Sequence, residues 1–245
     1  MTTDSPDFFR TLGASARIWA GGGQHEVGQD WWLALSGELN VNCNLACCRS
    51  ANSSVLIEHC LQPVLDLGQP GIIMLAGAGL ATAQTLVRAG WVTVGALPLM
   101  YLKEPPPRRP EIQKVRLLPT EDLPAAREIV AASCGSDRST AEAVFPDTAG
   151  GRSDGGFWGL SEGGRVIASV TIALEDGLAV VWSMGTRPEY QGRGYGRRVL
   201  EGALWECFDR GATGSVLPSS AAGEKLYRSL GYVVVDTLQL WSQPH

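Results

Sequence analysis

The chain has 245 residues, 44% of them hydrophobic and 18% charged, with a net charge of −5. That is enough apolar material for a sizeable core, in one large domain or in two of about 120 residues. The negative charge excludes a general binder of nucleic acid or of anionic membranes, and no apolar run reaches the ~20 residues of a membrane span.

Met1 to Arg10 carries Asp4 and Asp7 and no apolar core, so it does not read as a signal peptide, and the expected location is the cytoplasm. The six cysteines (Cys43, Cys47, Cys48, Cys60, Cys134 and Cys207) then read as reduced thiols in or near cores. Cys43, Cys47 and Cys48 with His59 and Cys60 lack a paired CxxC, so no metal site is expected.

In chain order, residues 1 to 30 are weakly patterned, with a loop at Gly21-Gly22-Gly23. Trp31 to Leu35 reads as a strand, with Trp31 and Trp32 in the core, and Glu38 to Cys47 as a second, mostly alternating one. Asn52-Ser53-Ser54 caps a helix with apolar positions Val55, Leu56, Cys60, Leu61, Val64 and Leu65; it ends at Gly68 and is kinked or split by Pro63. A buried strand, Gly71 to Ala76, leads to a helix from Ala78 to Ala89 and an extended segment from Trp91 to Leu102, bent at Pro98. Gly77-Ala78-Gly79 resembles the opening of a dinucleotide-binding turn. The acidic residue needed about twenty positions on is missing, so it reads as a plain strand-to-helix turn.

Residues 105–110 hold four prolines in six positions, an extended spacer that divides the chain into 1–104 and 111–245. A strand over Ile112 to Leu118 follows, then a helix capped by Thr120 and running to Ala132, a short helix from Ser139 to Phe145, and a glycine-rich loop from Gly150 to Gly156. Three antiparallel strands, Phe157 to Leu160, Val166 to Leu174 and Leu178 to Thr186, are joined at Ser161-Glu162-Gly163-Gly164 and Glu175-Asp176-Gly177, both hairpin signals. A helix to about Arg210, a strand at Ser215-Val216-Leu217, a helix from Ser219 to Leu230 and a last strand from Tyr232 to Trp241 complete the chain. Gly231-Tyr232-Val233-Val234-Val235 echoes Gly90-Trp91-Val92-Thr93-Val94, each after a helix, which points to a weak internal duplication.

The chemistry gathers at Gln191-Gly192-Arg193-Gly194-Tyr195-Gly196, between an apolar strand and an amphipathic helix. Three glycines let backbone amides approach an anion at the positive end of the following helix, and Arg187, Arg193, Arg197 and Arg198 surround them. The loop is not a Walker loop, because Gly196 is followed by Arg197-Arg198. Nor is it a dinucleotide fingerprint, whose third glycine would fall on Arg197.

Gln191-x-x-Gly194-x-Gly196, preceded by Thr186-Arg187-Pro188-Glu189-Tyr190 and followed by Ala221-Ala222-Gly223-Glu224-Lys225-Leu226-Tyr227-Arg228-Ser229-Leu230-Gly231-Tyr232, resembles the acetyl-CoA loop and flanks of the GNAT family of N-acetyltransferases. The resemblance spans Glu111 to Trp241 and implies an α/β (α+β) fold of mixed, mainly antiparallel sheet flanked by helices. With the internal echo, it implies two tandem GNAT-like domains, the first degenerate because Cys47-Cys48-Arg49-Ser50-Ala51-Asn52 replaces the glycine loop.

Carried over residue by residue, Met184, Gly185 and Thr186 would pair with the pantetheine arm of acetyl-CoA, the acyl-donor substrate. Gln191, Gly192, Arg193, Gly194, Tyr195, Gly196 and Arg197 would hold its pyrophosphate, and Tyr227 would give a proton to the departing thiolate. No carboxylate lies on the strand before the loop, so no general base is named. The implied reaction is direct attack by a small-molecule or peptide amine, with neither nucleic acid nor membrane as partner and a homodimer as one permitted assembly. A non-catalytic acyl-CoA-binding module is the alternative. Glu142, Asp147 and Asp154, near the expected acceptor cleft, would attract a cationic amine, and a solvated surface explains them as well; the N-terminal half is expected to cover or shape that side.

Overall fold

A computed structural model describes residues 6–109, 115–135, 138–144 and 155–244. Asp147, Asp154, most of the glycine-rich loop 150–156, the start of the strand expected at Ile112 and the thiol of Cys134 lie outside the described residues. No described helix is long and apolar enough to cross a membrane.

The N-terminal segment is more ordered than its weak pattern suggests. It forms α1 (Phe8–Ser15), capped by the Asp7 carboxylate on the Arg10 amide, then α2 (Arg17–Ala20) and the strand β1 (Gln24–Val27). Its pattern is weak because α1 is short and contains Gly13. A Cβ there would sit 2.5 Å from the Trp32 ring, so close packing outweighs helix propensity.

β2 (Trp31–Leu35) is followed by a 3-10 turn at Val41–Cys43 and by β3 (Asn44–Cys48), which is buried throughout rather than alternating. Cys43 is therefore on the turn and not on a strand. The helix with Pro63 divides into α3 (Ser53–Leu56), a π turn (Ile57–Leu61) and α4 (Gln62–Leu67), ending at Gly68 with φ 66°. Pro63 has no N–H for the carbonyl four residues back, and the helix widens just before it. After β4 (Ile72–Leu75) comes a 3-10 stretch at Gly77–Thr82, in place of the expected start of an α-helix, then α5 (Ala83–Arg88) and the long strand β5 (Val92–Leu102).

In the second half, β6 (Val115–Leu117) precedes a 3-10 turn, Thr120–Asp122, so Thr120 opens that turn instead of capping the helix. α6 (Leu123–Cys134) and α7 (Arg138–Val144) follow, then β7 (Gly155–Glu162), β8 (Arg165–Glu175) and β9 (Leu178–Thr186). Both hairpin turns have the positive φ pairs that match strand twist: Gly163 and Gly164 at 57° and 79°, Asp176 and Gly177 at 49° and 75°. α8 (Tyr195–Asp209), β10 (Gly214–Pro218), α9 (Ala221–Ser229) and β11 (Val233–Ser242) complete the chain.

The described strands form one sheet in the order β1-β2-β3-β4-β11-β5-β10-β9-β8-β7-β6. Its pairing reads the same outward from the central antiparallel pair of β5 and β11, apart from the added β6. β4 runs antiparallel to β11 and β10 antiparallel to β5, β3 runs parallel to β4 and β9 parallel to β10, and the outer pairs are antiparallel. Each half gives its last strand to the other: β5 lies against β10, and β11 against β4. Pro98 falls just past Leu99↔Pro218, the last pair of β5 with β10, where a missing N–H breaks no ladder.

Leu12, Trp19, Leu123, Ala126 and Ile129, from α1, α2 and α6, pack on one face of this sheet. On the opposite face lie α8 and α9 over the second half, with Leu200, Leu204 and Tyr227, and α3, α4 and α5 over the first, with Leu56, Val64 and Leu86.

Candidate active site

β9 pairs with β8 from Leu178 to Thr186. Its parallel pairing with β10 covers only Leu178↔Gly214, Ala179↔Ser215 and Val180↔Val216. Past Val180 the β10-side edge of β9 has no strand partner among the described residues, and a wedge opens between the two strands. A β-bulge marks the place: Thr171 faces Ser183 and Ile172 faces Val181, so Trp182 is the additional residue. The bulge bends the strand where its neighbour is lost. Met184, Gly185 and Thr186 are the last residues of this free edge. Gly185 has no room for a side chain, since a Cβ would lie 2.6 Å from Ile129 Cγ2 on α6.

From Thr186 the chain passes through a 3-10 turn, Pro188–Tyr190, into the glycine loop. Gln191 Nε2 donates to the Thr186 carbonyl at 3.1 Å, tying the loop to the strand end. Gly192 and Gly194 have φ of 72° and 78°, and a Cβ at either position would meet no atom within 4 Å. Their conformation, and not crowding, requires glycine. Gly194 is the N-cap of α8 and offers no side-chain cap, and the first turn has no acidic residue. The first intrahelical bond is Arg198 N to Gly194 O at 3.1 Å, so the amides of Tyr195, Gly196 and Arg197 point out of the helix end without a partner inside it. An anion fits that end.

The arginines differ in how far they are committed. Arg187 donates to the Val166 carbonyl at 2.9 Å and pairs with Glu128 at 3.0 Å, which makes it a brace between β8 and α6. Arg197 pairs with Glu201 at 3.2 Å and reaches the Ser229 hydroxyl on α9. Arg198 lies 3.9 Å from Glu162. Arg193 stacks over the Tyr190 ring at 5.9 Å and has no carboxylate partner among the described residues, so it is the best placed of the four to meet a phosphate. The Tyr195 hydroxyl donates to Glu162 at 2.9 Å, and that carboxylate raises the phenol pKa above its ordinary value. Tyr195 therefore offers the loop its amide rather than its ring.

Tyr227 sits on α9, whose N-cap Ser220 closes the end of β10. Its ring is 8% exposed and edge-on to Tyr232 with centroids 5.7 Å apart. Burial pushes its pKa up to about 12. Gly223, one turn earlier, lies against this ring: a Cβ there would be 2.7 Å from Tyr227 Cε2.

No local pattern in the chain signals the cavity of about 360 Å³ beside the wedge. Trp182, Pro218 and Ser220 form one side, and Leu12, Trp19, Met74 and Leu97 of the first half form the other. Trp182 is legible in the sequence only as part of a buried strand; its role as a bulge residue depends on pairing with β8. Trp31 and Trp32 do not line this cavity. Trp32 is fully buried, edge-on to Trp182 at 6.5 Å, and Trp31 stacks on His59 at 4.3 Å.

The corresponding place in the first half is closed. β3 pairs with β4 to its last residue, Cys48↔Leu75, and Ala76 N continues the ladder to Cys48 O at 3.0 Å. Gly79 lies directly on this seam, where a Cβ would be 2.3 Å from the Cys48 carbonyl oxygen. Its small size serves packing against the chain's own backbone, not ligand approach. Arg49 is held by Asp7 at 2.7 Å and Asp30 at 3.0 Å. Cys43, Cys47, Cys48, Cys60 and Cys207 are buried, and Glu142 pairs with Arg138 at 2.7 Å.

Residues 123–232 match the model of the acetyltransferase (GNAT) family. No curated protein matches the chain. Among solved structures, it resembles a GCN5-related N-acetyltransferase from Kribbella flavida at 20% identity and a TM-score of 0.69, over 94% of this chain and 96% of that one. It also resembles a GCN5-related N-acetyltransferase from Sphaerobacter thermophilus at 17% identity and a TM-score of 0.62, over 96% and 91% of the two chains. A third, a putative GNAT-family acetyltransferase from Novosphingobium aromaticivorans, matches at 19% identity and 0.59, over 95% and 99%. The shared fold thus extends over both halves. Residues 123–232 carry an acetyltransferase domain of the GNAT type.

Proposed function

We propose that the second half moves the acetyl group of acetyl-CoA to a primary amine by direct attack. The observation that carries this reading is the wedge: β9 loses β10 at Val180 and ends six residues later on the uncapped, positive end of α8. Backbone groups of Met184, Gly185 and Thr186 would pair with the pantetheine arm. Amides of the loop from Gln191 to Arg197, with the Arg193 side chain, would hold the pyrophosphate. As the nitrogen bonds to the acetyl carbon and the carbon–sulfur bond breaks, the Tyr227 phenol would give its proton to the departing sulfur.

We read residues 1–104 and 111–245 as two GNAT-like units joined at 105–110, of which the first shapes the acceptor side and holds no acetyl-CoA. Calorimetry tests the donor site: acetyl-CoA binding that Gly194→Glu abolishes supports it, and no binding, or binding indifferent to that change, overturns it. The burial of Tyr227 and the lack of a carboxylate on β9 favour, as a second reading, a module that binds acyl-CoA without turnover. Steady-state thiol release with a panel of amines separates the two.

A further inference from the structure

The cavity beside the wedge has a composition that selects its guest. It lies where Trp182 and Ser220 meet residues of the other half, on the sheet face away from α8 and α9. Acetyl-CoA held at α8 would enter from the opposite face, so the cavity meets the acetyl group from behind. Its described lining contains no Asp, Glu, Lys, Arg or His. Among the described residues, Glu175 pairs with Arg17, Asp176 accepts from the Thr11 hydroxyl, Glu128 pairs with Arg187 and Glu142 with Arg138. Trp19 and Trp182 stand edge to face with centroids 6.1 Å apart, and Met74, Leu97 and Leu240 complete an apolar wall.

Resting on the reading of the site as an acetyltransferase, we infer that the acceptor is an apolar, ring-bearing amine that arrives uncharged, of the arylamine class. An ammonium ion entering this pocket would lose its water and find no counter-ion among the described residues, a heavy desolvation penalty. A neutral arylamine meets neither difficulty. Its ring fits against indoles that favour edge-to-face and offset contacts, and its nitrogen needs no base to be freed of a proton before attack. The nitrogen–carbon bond forms as the carbon–sulfur bond breaks. Tyr227 gives its proton to the sulfur, and the proton shed by the nitrogen returns to the phenol through water. The absence of a carboxylate on β9 is then a match to the substrate.

The test uses the full chain with acetyl-CoA, following thiol release with 4-methylaniline, 2-phenylethylamine, spermidine and lysine from pH 7 to 9. The expected result is a kcat/KM for 4-methylaniline at least tenfold above those for spermidine and lysine, and level across the pH range. That of 2-phenylethylamine rises about tenfold per pH unit, because only its minor neutral form enters. Leu97→Glu and Leu240→Glu, both at half-buried positions and checked for folding by circular dichroism, lower the 4-methylaniline value at least tenfold and leave the calorimetric Kd for acetyl-CoA unchanged. Spermidine or lysine equal to or better than the arylamine overturns the acceptor class alone, provided acetyl-CoA binds. A preference for octanoyl-CoA over acetyl-CoA that the same two variants abolish makes the cavity an acyl-chain site and also overturns it. Failure of the unaltered chain to bind acetyl-CoA removes the underlying reading, and this inference with it.

Discussion

The indole Nε1 of Trp182 donates to Ser15 Oγ at 2.9 Å, joining the bulge of β9 to helix α1 across the two halves of the chain. Ser15 is fully buried, and its hydroxyl donates in turn to the Leu12 carbonyl at 2.7 Å. Ser15→Ala would leave the indole N–H without this acceptor and the carbonyl without this donor, at a cost of about 1–3 kcal/mol. Urea unfolding should register that loss as a lower midpoint with an unchanged slope. The Kd for acetyl-CoA should stay constant, because no amide of α8 is touched. Unaltered stability would show that the two halves are not joined through this bond.

Gly194 separates conformation from chemistry in the loop. At φ 78° and with open space where a Cβ would sit, Gly194→Ala meets no clash, only the roughly 1–2 kcal/mol cost of a left-handed residue. Gly194→Glu adds to that cost a carboxylate beside the outward amides of α8. The alanine variant should weaken acetyl-CoA binding about tenfold, and the glutamate variant considerably more. Equal effects from the two, measured by calorimetry, would argue against an anion at the helix end.

Tyr227 gives a pH prediction. Burial raises its pKa from about 10 in an unfolded chain to about 12. The phenol therefore remains protonated across pH 6 to 10, and kcat/KM for an acceptor that is neutral throughout should show no descending limb in that range. The linked stability is intact below about pH 10 and falls as the pH rises toward 12, because the unfolded chain loses its proton first. Tyr227→Phe should lower kcat with little change in stability, since the ring and its contact with Tyr232 persist. A falling limb in kcat/KM near pH 8 would assign the proton to another group.

Much of the second half could be read from local chemistry. The glycine pairs of the two hairpins, the loop from Gln191 to Gly196 and the helix carrying Tyr227 each announce themselves within a few residues. The exchange of β5 and β11 could not be read, because Val92–Val94 and Val233–Val235 have similar patterns and either strand suits either neighbour. Only Pro98, which has to sit where a ladder ends, records the choice. The cavity was hidden for the same reason. Its wall joins Trp19, Met74, Trp182 and Ser220, four residues brought together by pairings distant in sequence. Trp182 reads as one more apolar residue of β9 until the bulge is seen.

Gly223 tests how the tyrosine is placed. A methyl group there would come 2.7 Å from Tyr227 Cε2, so Gly223→Ala must push the ring or α9 aside. Gly223 touches none of the outward amides of α8. The variant should therefore lose turnover at an unchanged acetyl-CoA Kd, with a modest loss of stability of about 1–3 kcal/mol from overpacking. Unchanged kcat in a folded Gly223→Ala protein would remove Tyr227 from the reaction.

The two halves, alike in strand order, differ at the one place where a thioester would enter. β9 leaves β10 after Val180, whereas β3 stays paired with β4 to Cys48, and Gly79 packs on the Cys48 carbonyl oxygen at a spacing that admits no further atom. Opening that seam would break backbone hydrogen bonds inside a buried strand pair, with no glycine loop beyond it to receive a pyrophosphate. Arg49, the cation nearest the seam's end, is already neutralised by Asp7 and Asp30. Acetyl-CoA should accordingly bind with a stoichiometry of about one per chain, and Gly194→Glu should remove all of it. A residual equivalent of binding in that variant, weakened by Gly79→Ala or Arg49→Ala, would place a second site in the first half.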